Sequence, residues 1–159
     1  MTEKKAYFAA GCFWGVEDRF RKTPGVLDAI SGYMGGHTEN PGYRDVCAGA
    51  TGHAETVEVQ FDAERITFGE LLDLFFDMHN PTTRNRQGPD VGSQYRSAVF
   101  AVDDEQERAA IERIAELDRS GRWLNPIVTE VKRGGRFWPA EEYHQRYFEK
   151  NGAGFCHVK

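Results

Sequence analysis

The sequence predicts an α/β (α+β) domain: a two-layer sandwich in which helices cover one sheet around a βαββαβ core. Three observations predict it. Strand-like and helix-like stretches follow the order β-α-β-β-α-β-α-β. The run ETVEVQF (55–61) alternates Val57, Val59 and Phe61 with Glu58 and Gln60, the period of a half-buried strand. The run TFGELLDLFFDMH (67–79) sets Phe68, Leu71, Leu72, Phe75, Phe76 and His79 at helical spacing.

The elements follow in order. Residues 4–10 (KKAYFAA) read as a short strand that stops at Gly11. Residues 12–22 read as a helix with Phe13, Val16 and Phe20 on one side, ended by Pro24-Gly25. Residues 26–33 read as a strand. From Gly35 to Gly52 the chain is rich in Gly, Asn, Pro and Thr, which predicts a loop. After 55–61 and 67–79, a second loop runs from Asn80 to Gln94. Residues 96–102 (RSAVFAV) read as an apolar strand, and Asp103 fits the cap of a helix over 104–119. Residues 127–132 (IVTEVK) read as a strand and 140–149 as a last short helix. The βαββαβ portion has the pattern of a split-βαβ, ferredoxin-like plait. The chain length fits one domain over 1–159, with a mobile Gly-rich tail from about 150 onward. Loops as long as the two here are usually functional or disordered.

Composition excludes several classes. Lys plus Arg number 20 and Asp plus Glu 25, a net charge of −5. That balance argues against nucleic acid or an anionic membrane as the main partner. No run of about 18 apolar residues marks a membrane span, and residues 1–8 lack the apolar core of a secretory signal. The expectation is a cytoplasmic protein, or a mature domain without its targeting segment. Three cysteines, with no CxxC pair, are too few for a disulfide scaffold and weaken both structural zinc and a dithiol motif.

Cys12 stands where a strand ends at Gly11 and a helix begins. Unpaired amides and the helix dipole stabilise a thiolate there, which makes Cys12 a candidate nucleophile rather than a small core hydrophobe. Phe13 and Trp14 follow it at about 100° intervals, so one ring can enter the core while the other walls the space beside the sulfur. Such a wall suits an apolar or methyl-like group. Glu55 shares the parity of Val57, Val59 and Phe61. On that face its carboxyl is desolvated and stays protonated near neutral pH, as a general acid requires; at the strand start it could equally face water. The loops add Tyr43, Asp90 and Tyr95, with Gln94 and Arg96 beside them. Each alone is an ordinary loop residue; with Cys12 they suggest a site at one end of the sheet. Cys156, in the Gly-rich tail, can resolve a sulfenic acid into a disulfide. Cys47 reads as structural. His53-Ala-Glu55 matches the HxE of zinc deaminases, but no paired downstream cysteines complete a metal site.

Four stretches carry a resemblance: GCFWGVE (11–17), GYMGGHTENPGYRDVCAGATGHAE (32–55), NRQGPDVGSQYRS (85–97) and YHQRYFEKNGAGFC (143–156). They closely resemble the peptide methionine sulfoxide reductase A family, over nearly the whole chain. The resemblance implies reduction of the S epimer of methionine sulfoxide, free or in proteins, as repair of oxidative damage. It makes Cys12 the nucleophile, Glu55 the acid, and Tyr43 and Tyr95 hydrogen-bond partners of the sulfoxide oxygen. It assigns Phe13 and Trp14 to the pocket for the methyl group, Asp90 to holding the substrate, and Cys156 to resolving Cys12. It implies thioredoxin as reductant and partner and no metal or organic cofactor; a monomer is expected. The chain departs from many relatives in QGPD, where they read QGND, and in NGAGFC, where they read NPNGYC. A different cysteine enzyme and a non-catalytic binding module are the alternative classes.

Overall fold

The computed structural model describes residues 1–152; of the tail expected to be mobile from about 150 onward, residues 150 and 151 belong to a helix, and the remainder after 152, with Cys156, lies outside the described residues. Eight strands and five helices occur among the described residues. They are β1 (Glu3–Ala10), α1 (Phe13–Arg21), β2 (Val26–Met34), α2 (Tyr43–Cys47), β3 (Ala54–Asp62), α3 (Phe68–Met78), β4 (Arg86–Gln87) and β5 (Asp90–Val91). After a 3-10 turn at Ser93–Tyr95 come β6 (Ser97–Ala101), α4 (Asp104–Ser120), β7 (Glu130–Arg133) and β8 (Trp138–Pro139). A second 3-10 turn, Glu142–His144, precedes α5 (Tyr147–Asn151).

The main sheet has the order β7-β6-β1-β3-β2-β8, and β4-β5 form a separate two-stranded ribbon. Only β6 and β7 run parallel; every other pair is antiparallel. The four strands β6-β1-β3-β2 make the expected split-βαβ core, with β3 inserted between the parallel β1 and β2. α4 crosses from β6 to β7 and extends the sheet by one edge strand.

One face of the sheet carries the core. Ala6, Phe8, Val57, Val59, Phe61 and Val99 pack there against Phe13, Val16 and Phe20 of α1 and Leu71, Leu72, Phe75 and Phe76 of α3. Phe8 is its hub, with ring centroids 5.1 Å from Phe20, 5.9 Å from Phe68 and 5.2 Å from Phe75. The opposite face holds a smaller cluster of Ala9, Met34, Ala54, Ala98 and Phe100, with Phe137 packed over it. Among the described residues two helices carry N-cap side-chain bonds, of which the sequence predicts the one at Asp103. Thr67 and Glu70 form a capping box on α3, and the Asp103 carboxylate accepts from the Gln106 amide at 2.8 Å.

Three expectations are corrected. The strand expected over 127–132 joins the ladder only at Glu130, because the Ile127 amide donates to Asp118 (2.9 Å) and the Val128 amide to Pro81 O (2.8 Å). The single helix expected over 140–149 is broken: Arg146 adopts φ 54°, ψ 39°, which separates the Glu142–His144 turn from α5. The two long loops carry structure of their own, α2 in the first and β4-β5 in the second, each too short to show a period in sequence.

Candidate active site

The site is built where several chain segments meet at one end of the sheet. β1 and β2 end there while β3 and β6 begin, because Ala10 pairs with Ser97 and Tyr33 with Glu55. Gly11, at φ 93°, turns the chain from β1 into α1, a backbone setting that favours glycine. Cys12 is the N-cap of α1, half-buried, with helical residues starting at Phe13 rather than at Cys12 itself.

Glu55 lies on the helix-covered face, 1% exposed. Its Oε1 accepts the Phe13 amide at 3.2 Å, so the carboxyl sits on the first turn of the helix that Cys12 caps. Its Oε2 is buried and has no hydrogen-bond partner among the described residues. Burial drives its pKa up to about 8; the Phe13 amide opposes the rise and the charge of Asp90 adds to it. A carboxyl of this kind is protonated at neutral pH and presents one unoccupied oxygen.

Two tyrosines surround it. Tyr43 opens α2, and Tyr95 ends the turn that precedes β6. Burial raises both hydroxyls above the usual range. For Tyr43 a hydrogen bond with Cys47 and the negative charge of Glu55 add to it. For Tyr95 the negative charges of Glu55, Cys47, Asp90 and Cys12 add to it. Each therefore remains an O–H donor across the physiological range. Tyr95 is held through its neighbour: Arg96 donates to Glu130 (2.8 Å), Ser93 O (2.9 Å) and Gly52 O (2.9 Å). Asp90 lies on the β4-β5 ribbon, which the buried Gln87 fastens to Asn80.

The two aromatics after Cys12 separate as their helical spacing requires. Phe13 is buried among Tyr33, Tyr43 and His144, at centroid distances of 5.7, 6.4 and 5.2 Å. Trp14 is half-buried. Its ring stacks on Tyr147 at 3.8 Å and 7°, and its indole N–H donates to His144 Nδ1 at 2.9 Å. The structure thus gathers Cys12, Phe13, Trp14, Tyr43, Glu55, Asp90 and Tyr95 around one helix terminus.

Sequence reasoning missed the residues that tie the chain near its end to this place. Glu141 accepts from the Tyr33 hydroxyl (2.8 Å) and the Tyr43 amide (2.9 Å). His144 is 1% exposed, and burial lowers its pKa. Accepting at Nδ1, it carries its proton on a buried Nε2 that has no partner among the described residues. No local signal marks these residues, since their partners are about 100 positions away. Cys47, read as structural, is exposed at the end of α2 beside Tyr43. His53 serves the backbone: its Nδ1 accepts the Gly36 amide (3.0 Å) and its Nε2 meets Thr38 O (2.8 Å). Among the described residues no group of three His, Cys, Asp or Glu is arranged to hold a metal ion. None of their helices is long and apolar enough to cross a membrane.

Known proteins resemble the chain closely. It matches the family described as Peptide methionine sulfoxide reductase over residues 4–159. It is 58% identical, over 98% of its length and 92% of the relative's, to "Peptide methionine sulfoxide reductase MsrA" of Methanothermobacter thermautotrophicus. Its fold matches the crystal structure of reduced Mxr1 from Saccharomyces cerevisiae with a TM-score of 0.89 and 39% identity, covering 97% of this chain and 88% of that one. It also matches Mxr1 in complex with Trx2, with a TM-score of 0.64 and 28% identity over 91% of this chain and 84% of that one. The fold and these likenesses agree: the chain belongs to the peptide methionine sulfoxide reductase family and is an oxidoreductase.

Proposed function

We propose that this chain reduces the S epimer of methionine sulfoxide, free or in proteins, by a thiol mechanism centred on Cys12. One observation carries the assignment of roles. The Glu55 carboxyl is buried, protonated at neutral pH, and leaves Oε2 open beside the helix end that Cys12 caps.

In the first step the Cys12 thiolate attacks the sulfoxide sulfur. Negative charge grows on the oxygen, Glu55 donates a proton to it, and the Tyr43 and Tyr95 hydroxyls stabilise it. The protonated oxygen moves to the Cys12 sulfur as the S–O bond and the newly formed sulfur–sulfur bond both break, so Cys12 becomes a sulfenic acid and methionine leaves with the electron pair. Phe13 and Trp14 hold the methyl group, and Asp90 holds the substrate. In the second step the Cys156 thiol attacks the sulfenic acid, forming the Cys12–Cys156 disulfide and releasing water. Thioredoxin then returns two electrons and two protons through its own dithiol. The complex of Mxr1 with Trx2, a thioredoxin, supports that partner. These steps balance with thiols alone, so the proposal includes no metal or organic cofactor. The same reading makes 1–159 one domain, monomeric and cytoplasmic, repairing oxidised protein.

The test is trapping. Reduced enzyme mixed with a blocked methionine sulfoxide, without reductant, is expected to form about one equivalent of methionine. In a Cys156→Ser variant, dimedone is expected to label Cys12. Labelling of Cys47 instead, or methionine without any adduct, contradicts the assignment.

A further inference from the structure

α1 carries more than the nucleophile. Glu17 stands three positions after Trp14 on this helix, and side chains at that spacing are neighbours on one face. Glu17 is 1% exposed, unusual for a glutamate and tolerable only when its oxygens are bonded. Its Oε1 accepts the Arg146 amide at 2.6 Å and an Arg21 N–H at 3.4 Å. Arg146 sits in the left-handed region, at φ 54° and ψ 39°, where a non-glycine residue stays only if its surroundings hold it. The next residue, Tyr147, lies flat on the Trp14 ring at 3.8 Å.

Other bonds pin the same segment earlier. Gln145 exchanges two hydrogen bonds with the Ser31 backbone, both at 2.9 Å, and Glu141 takes the Tyr33 hydroxyl and the Tyr43 amide. Those partners belong to β2 and α2. Two anchors come from α1, the helix that Cys12 caps: the Trp14 indole, which donates to His144 at 2.9 Å, and Glu17, whose contact is one residue from the stacked ring.

We propose that Glu17 is a positioning residue for the substrate pocket. It acts through the Arg146 backbone to set Tyr147 against Trp14, and so fixes the wall that receives the substrate's methyl group. The inference rests on the reading of Trp14 as that wall. The reach of the Glu17 carboxyl matters here more than its charge: both contacts fall on one oxygen that an amide can replace, and Arg21, whose ion pair with Glu17 spans 3.4 Å, keeps its shorter pair with Asp28 at 2.7 Å.

The experiment compares Glu17→Gln, which keeps reach and loses charge, with Glu17→Asp, which keeps charge and loses reach. KM and kcat for a blocked methionine sulfoxide are measured with dithiothreitol, below the unfolding midpoint of each variant. Glu17→Gln is expected to stay within about twofold of wild type, while Glu17→Asp raises KM about tenfold with a much smaller change in kcat. Tyr147→Ala, which keeps the Glu17 contact and removes the ring, is expected to raise KM alike, and it decides the matter if Glu17→Asp does not fold. The reverse order, Asp normal and Gln impaired, or a wild-type KM in both Glu17→Asp and Tyr147→Ala, overturns the inference. Trp14→Ala separates the two levels. A raised KM there with normal Glu17 variants sinks only the Glu17 role; a normal KM there sinks the pocket reading and the Glu17 role together.

Discussion

The Phe13 amide donates to Glu55 Oε1 across 3.2 Å, 42 positions apart in sequence, and so joins the first turn of α1 to the start of β3. The bond fixes which carboxyl oxygen is occupied and which is open. It also places a protonated acid beside the residue that caps the same helix. The proton donor and the attacking sulfur are thereby held on one backbone feature, which is what a step needing both at once requires.

Glu55→Gln removes the acid and keeps its shape. The single-turnover rate of methionine formation is expected to fall by about 100-fold or more. In wild type that rate is expected to decline as pH rises through about 8, where Glu55 loses its proton. The variant loses this decline. A wild-type rate in the variant across pH removes Glu55 from the acid role.

The same burial has a stability consequence. Folding raises the Glu55 pKa from 4.5 to about 8, so above pH 4.5 the unfolded chain is favoured by ionisation that the native state resists. Its contribution to stability is therefore lost progressively between those two values. Glu55→Gln abolishes the effect and is expected to be more stable than wild type at pH 8.5, by on the order of a few kcal/mol, with the gap narrowing toward pH 4.5. Urea unfolding at both pH values checks it.

Tyr43→Phe and Tyr95→Phe each remove one donor to the developing oxygen charge. Each is expected to slow the first step by about 10- to 100-fold, with little change in fold. Single-turnover kinetics of the two variants and of the double variant measure this; full activity in the double variant contradicts the oxygen-binding role.

Gly36 tests how the site is supported. A Cβ there would lie 2.4 Å from both His53 N and Thr51 O, which are backbone atoms unable to move aside alone. Gly36→Ala is expected to destabilise the protein by about 2 kcal/mol. It also shifts the approach to β3, and a displacement of about 1 Å at Glu55 costs about 100-fold in rate. Thermal unfolding and turnover of this variant check both.

Much of this was legible in the sequence because it rests on short-range periodicity. The parity of ETVEVQF matches Glu55 to the covered face but equally allows it to face water at the strand start; the structure decides for the covered face, at 1% exposure. The junction at Gly11 put Cys12 at a helix start, where it is the N-cap. The rest depends on contacts between distant positions. Trp14 meets His144 across 130 residues and Glu17 meets Arg146 across 129, so neither spacing nor composition announces them. The broken helix at Arg146 had the same origin: a local helical pattern lost to a tertiary bond that holds one residue left-handed.

Recycling depends on the tail cysteine. Cys156→Ser is expected to complete one turnover and then stall with thioredoxin, while wild type continues. Sustained turnover of that variant with thioredoxin moves the resolving role to Cys47, exposed beside Tyr43.

The most direct measurement is turnover of the separated S and R epimers of a blocked methionine sulfoxide with dithiothreitol, using wild type and Cys12→Ser side by side. Reduction of the S epimer alone, absent in Cys12→Ser, is the predicted result. Reduction of neither epimer by folded wild type, or undiminished reduction by Cys12→Ser, contradicts the account.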